Sequence, residues 1–120
     1  LKQAKKMYHK HYWANHDYDK INNPEIAIEM FDQAVNLGPA AANKNLQKSY
    51  NLLANEPITV DGIIGPGTLG AVNNCEKQTA LFNLLNGYQL KHYIELAEKK
   101  DKFKSFIAGW ANKRIEIVRK

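Results

Sequence analysis

Three of the four prolines punctuate this chain at helix-start positions: Asn23-Pro24-Glu25, Gly38-Pro39-Ala40 and Gly65-Pro66-Gly67. Proline lacks the N–H that the first turn of a helix leaves unpaired, and its fixed φ suits that position. It cannot continue a helix arriving from upstream. Each of the three therefore marks a helix start, and together they cut the chain into separate helices. Asn23 is placed to cap the helix that Pro24 opens, and Glu25 favours its positive end. Ile28, Phe31 and Val35, with Ala27 and Ala34, form an apolar stripe. Gly38 supplies a left-handed cap before Pro39. The next helix, PAAANKNLQKSYNLLAN, turns Leu46, Tyr50 and Leu53 inward. Pro66 begins another, with Leu69 and Val72 inward.

Helical periodicity continues on both sides. Ala4, Met7, Tyr8, His11 and Tyr12 share one face of a first helix that ends near Asn15, followed by the loop HDYDKINN. A long helix from about Thr79 to Lys100 carries Leu81, Leu84, Leu85, Tyr88, Tyr93 and Leu96. A last one, from Asp101 to about Arg119, carries Phe103, Ile107, Trp110, Ala111, Ile117 and Val118. The pattern predicts an all-α fold, a compact bundle of about six helices.

The stretch VDGIIGPGT, residues 60–68, interrupts that pattern. Asp61-Gly62 and Gly65-Pro66 are turn dipeptides. Ile58 and Val60 suit a very short strand or an extended arm. Ile63 and Ile64 are expected to act as an apolar plug that sets the angle of the following helix, as a hydrophobic staple does. Gly62 and Gly65 are expected to take backbone angles that strain other residues.

At 120 residues and 44% apolar, the chain suits one domain or two small subdomains sharing a core. No run of ~18 apolar residues exists, so no stable membrane insertion is expected. LKQAKKMYHKHYW has no apolar signal-peptide region. The chain opens on Leu1, already helical and uncapped, so the natural protein is expected to begin earlier. Residues 1–56 hold seven basic and six acidic side chains, and residues 57–120 hold ten and six, so the surplus of +5 sits mainly in the second half. Such a bias suits an anionic polymer such as nucleic acid, an acidic cell wall or a lipid surface. A solvated lysine-rich face has the same composition. Arg114 and Arg119 are the only arginines, so no arginine-dense recognition helix exists and nucleic acid is not the expected partner. Cys75 stands alone and reads as a small hydrophobe.

His9, His11 and His16 lie near Asp17 and Asp19, but helix residues two apart point ~200° apart, which argues against a metal site. No cofactor is expected; no phosphate loop or nucleophile elbow occurs. Glu25, Glu29 and Asp32 share a helix face. Paired carboxylates serve glycoside hydrolysis, yet a solvated face of an amphipathic helix looks the same, and Glu25 and Glu29 are expected in solvent. Asp32 and Asn36, one turn apart beside the apolar stripe, suggest either a structured polar site or groups that cap backbone. Tyr12 and Trp13 are candidates to stack on a sugar or base, though ~100° apart on a helix.

Four stretches, YHKHYWANHDYDKI, MFDQAVNLGPAAANKNLQ, VDGIIGPGTLGAV and FIAGWANKR, in this order resemble the N-acetylmuramidases of glycoside hydrolase family 108, also described as secretion activator proteins. The likeness covers nearly the whole chain. It implies a lysozyme-like fold. Residues 1–56 would be the later part of the catalytic region and residues 57–120 a peptidoglycan-binding region. The implied partner is the glycan strands of peptidoglycan, acted on at the bacterial cell wall by an endolysin-type enzyme. Asp32, Asn36 and Gly38 match the family's D-x-x-V-N-x-G pattern and Tyr12-Trp13 its Y-W pair, which implies substrate-positioning or architectural roles on a cleft wall. The family's catalytic glutamate lies in a segment with an E-G-G start, and no such residues occur here. The expected proton donor, a glutamic acid kept protonated by an apolar pocket, is therefore missing, and no catalytic residue is assigned. A non-catalytic wall-binding module is the alternative.

Overall fold

The computed structural model describes residues 17–100 together with Ala108, Gly109 and Asn112. A 3-10 turn, Tyr18–Lys20, precedes four helices: α1 (Pro24–Leu37), α2 (Pro39–Leu53), α3 (Pro66–Asn74) and α4 (Gln78–Lys99). Among the described residues there is no strand, so the fold is all-α. Of the six helices expected, four are these. The one ending near Asn15 lies outside the described residues, as does nearly all of the one after Asp101. The fold divides into two units, Leu1–Leu85 and Asn86–Lys120, and α4 supplies residues to both. Among the described residues no helix is long and apolar enough to cross a membrane.

All three proline signals hold: α1, α2 and α3 each begin on the expected proline. The Asn23 side chain accepts from the Glu25 and Ile26 amides at 3.0 and 3.5 Å, which satisfies two orphan donors of α1. Asn23 also donates to Gln78 at the start of α4, at 3.1 Å. Asn73 of α3 holds the chain just before α1, accepting from the Asn22 amide and donating to the Lys20 carbonyl, both at 2.9 Å.

The buried face of α1 differs from the predicted stripe. Ile26, Ala27, Met30 and Ala34 enter the core, while Ile28 and Val35 are exposed and Phe31 is half-buried. Both sets recur at helical spacing, because apolar residues surround most of this helix. The choice brings Glu29 and Gln33 inside, each almost wholly buried. Glu29 is therefore not the solvated residue its sequence context suggested. Gln33 Nε2 donates to Glu29 Oε2 at 3.0 Å and to the Leu85 carbonyl at 2.7 Å, and Gln33 Oε1 accepts from Asn45 of α2 at 3.0 Å. With both ends of its amide bonded, Gln33 can lie in a core that a lone amide could not enter.

The core of the first unit joins those α1 residues to Ala42 and Leu46 of α2, Val72 of α3, Leu81 and Leu85 of α4, and Tyr18, Ile21 and Ile64 from the connections. Tyr50, Leu53 and Leu69 pack against it from the side, on the faces expected of them. In the second unit Gln89 and Tyr93 are buried one turn apart on α4. Gln89 donates to the Tyr93 hydroxyl at 3.4 Å, and the His92 ring meets Tyr93 edge-on at 5.8 Å.

Between α1 and α2 a single residue, Gly38, reverses the chain with φ 95° and ψ 150°. This is a region open essentially to glycine, distinct from the left-handed helical cap that the sequence suggested. A Cβ there would meet nothing within 4 Å. Gly38→Ala should therefore lose about 1–3 kcal/mol of unfolding free energy from torsional strain alone, measured by urea denaturation. An unchanged midpoint would show that the α1–α2 junction relaxes freely.

Candidate functional site

The VDGIIGPGT stretch is an elbow hung on two amides of α2. Asn43 and Gln47 lie one turn apart and are both buried, beside Leu46 on the inward face. Tyr18, fully buried, donates its hydroxyl to Asn43 Oδ1 at 2.8 Å, and Asn43 Nδ2 donates to the Gly62 carbonyl at 2.9 Å. Gln47 Oε1 accepts the Gly62 amide at 3.0 Å. Its Nε2 lies within reach of three acceptors: Asp61 Oδ1 and the Ile63 carbonyl at 3.0 Å, and Thr68 Oγ1 at 3.1 Å. An amide nitrogen carries two hydrogens, so three acceptors share two N–H bonds. Gly62, at φ 78°, takes the angle expected of a turn glycine, whereas Gly65 is extended at φ −111° and needs no special freedom.

Asp61 closes the turn on itself by accepting the Ile63 amide at 3.0 Å. That backbone hydrogen bond, and then the one from Gln47, hold its carboxyl below the usual carboxylate range. Upstream, Asn51 clamps the arm at Ile58, donating to its carbonyl at 2.9 Å and accepting its amide at 2.8 Å. The arm has no regular secondary structure and pairs with no strand among the described residues.

The two isoleucines of the elbow part company. Ile64 is buried in the core cluster and acts as the expected plug. Ile63 is 66% exposed. It lines an open groove of about 390 Å³ with Pro57, Ile58, Thr59, Asp61, Gly65, Gly67 and Thr68. Among the described residues the side chains offered are aliphatic or hydroxylic, with one acid, no base and no aromatic ring.

Asp32, Asn36 and Gly38, three of the site residues expected from sequence, do not line this groove. Asp32 is half-buried on α1, and Asn36 is exposed on the last turn of the same helix. Gly38 follows them as the turn between helices. Tyr12 and Trp13 lie outside the described residues, as do His9, His11 and His16. Sequence reasoning took Asp61 for a turn residue and passed over Gln47 altogether. The available signal was an Asp-Gly turn following a helix whose inward face carries two amides at a four-residue step.

Comparison with known families places these observations. Residues 41–115 match the family described as Predicted Peptidoglycan domain, and residues 1–38 match Glycosyl hydrolase 108. The first match spans more than half of the chain and includes α2, the elbow, α3 and α4. The chain belongs to the family of predicted peptidoglycan domains. With the shorter match to a glycosyl hydrolase family, it has a role in peptidoglycan hydrolysis or binding. No curated protein matches the chain.

Proposed function

We propose that this chain holds peptidoglycan through the groove between the residue 57–65 arm and α3, as the binding part of a lysozyme-like wall hydrolase. The observation that carries the reading is Ile63. A large apolar side chain stands exposed at the centre of a turn that two buried amides and a plugged Ile64 hold fixed. Fixing that geometry in the free protein removes much of the ordering penalty of binding. The groove lies wholly inside the peptidoglycan-domain match. Asp32, Asn36 and Gly38 lie in the segment matching the glycosyl hydrolase family. We assign their helix edge to the glycan-facing surface of that segment, separate from the groove. The E-G-G sequence of the family's catalytic segment does not occur in these 120 residues. The chain by itself is proposed to bind the wall without cleaving it.

Sedimentation with insoluble peptidoglycan tests the reading. The 120-residue chain should co-sediment, and it should not clear a cell-wall suspension. Ile63→Asp alters an exposed position and should leave the fold intact. It should weaken retention about tenfold or more, the value of losing one buried aliphatic side chain. Equal retention of the variant would remove the groove from the function.

A further inference from the structure

The groove has an electrostatic character opposite to that of the chain. The protein carries a net charge of +5, yet the only charged residue among the eight that line the groove is Asp61. Both hydrogen bonds to this carboxylate, from Gln47 and from the Ile63 amide, go to Oδ1. Among the described residues Oδ2 accepts no hydrogen bond from another residue, and no cation lies within ion-pair distance of Asp61. The remaining lining offers Pro57, Ile58, Ile63 and Thr59, which are small or aliphatic surfaces. Among the described residues that line the groove, no aromatic ring is available to stack on a pyranose, and no amide side chain is available to read sugar hydroxyls.

Peptidoglycan has two chemically different parts. The glycan strand is a polymer of N-acetylated amino sugars with ring hydroxyls. The stem is a short peptide of small aliphatic residues that includes a diamino acid, whose second amine is a free ammonium wherever it is not cross-linked. We propose that the groove binds the peptide stem rather than the glycan strand, with the free ammonium of the diamino acid against Asp61 and alanine methyl groups against Ile58 and Ile63. This assignment rests on the binding role proposed above and specifies its ligand. An un-cross-linked stem is also what an enzyme meets in newly made or already opened wall.

The test uses the full chain and three probes. The first is insoluble peptidoglycan. The second is the same material after an amidase has stripped its peptides. The third is a synthetic stem tetrapeptide with its side-chain amine free or acetylated, titrated by NMR. Binding is expected to intact wall, with loss on amidase treatment. Acetylating the amine is expected to weaken the tetrapeptide roughly three- to fivefold, the value of one exposed ion pair. Asp61→Asn keeps the Oδ1 acceptor, and so the turn. It is expected to bind the free-amine peptide as weakly as wild type binds the acetylated one, and to show no further loss on acetylation. Undiminished binding to stripped glycan, with the tetrapeptide inert, would overturn the assignment while leaving wall binding intact. Failure to bind intact wall would overturn both readings.

Discussion

Gln47→Glu should destabilise the protein by about 3–5 kcal/mol at neutral pH. The substitution changes one atom in size and shape hardly at all. It replaces an amide nitrogen that serves Asp61 Oδ1, the Ile63 carbonyl and Thr68 Oγ1 with an oxygen. A buried carboxylate would then face an ionised Asp61 at about 3 Å, together with a carbonyl that it cannot satisfy. Burial and the neighbouring acid both push the carboxyl of the new glutamate upward in the folded state. The folded protein then binds more protons than the unfolded chain through the range between the two pKa values, so stability should rise as pH falls through that range. The wild-type chain should behave oppositely at the acid end. The depressed Asp61 carboxyl contributes stability that is present above the ordinary carboxylate range and is lost as pH falls through its lowered value. Denaturant midpoints for both proteins, followed from pH 7 down through and below the ordinary carboxylate range, would show the opposed slopes. A variant as stable as wild type at pH 7, or a deficit that does not change with pH, would mean that Gln47 does not organise the elbow. Co-sedimentation with peptidoglycan gives the functional readout, since a loosened elbow releases Ile63 and Asp61 from their fixed relation.

How far such a site can be read from sequence depends on which interactions are local. Asn23, Gly38, Pro24, Pro39 and Pro66 act within one turn of their own position, so the starts of α1, α2 and α3 were legible to the residue. The inward faces of α2 and α3 followed from Leu46, Tyr50, Leu69 and Val72, because few other large apolar residues compete for the core in those helices. On α1 the same reasoning failed. Ile26, Ile28, Met30, Phe31 and Val35 leave no clean polar side, and the choice of face was settled by partners far along the chain: Asn45 on α2 and the Leu85 carbonyl on α4. The groove was illegible for a related reason. The turn that builds it is punctuated locally by Gly62 and Pro66, but its shape is dictated by Gln47, fifteen residues before Gly62. Nothing in the repeat of two isoleucines says which is core and which is surface. That is decided only when α2 supplies hydrogen bonds to the backbone on either side of Ile63.

The same principle makes Gln33 the second position of large effect. Gln33→Leu should destabilise by about 3 kcal/mol or more, although it places an apolar residue of similar size in a core. The loss comes from what stays behind. The Glu29 carboxyl group, 1% exposed, loses a donor at 3.0 Å. The Leu85 carbonyl loses one at 2.7 Å, and Asn45 loses its acceptor. Leaving several buried polar groups with fewer partners outweighs the gain from burying more hydrocarbon. The double variant Gln33→Leu with Glu29→Met removes the buried carboxyl group as well as its donor, and should recover a large part of the deficit. A thermodynamic cycle of the two single variants and the double, in urea, measures the coupling. Coupling of 1 kcal/mol or more is expected between groups joined in one buried network. Additive losses would show that Glu29 draws its stability from its other contacts, and that Gln33 serves only to tie α1 to α4.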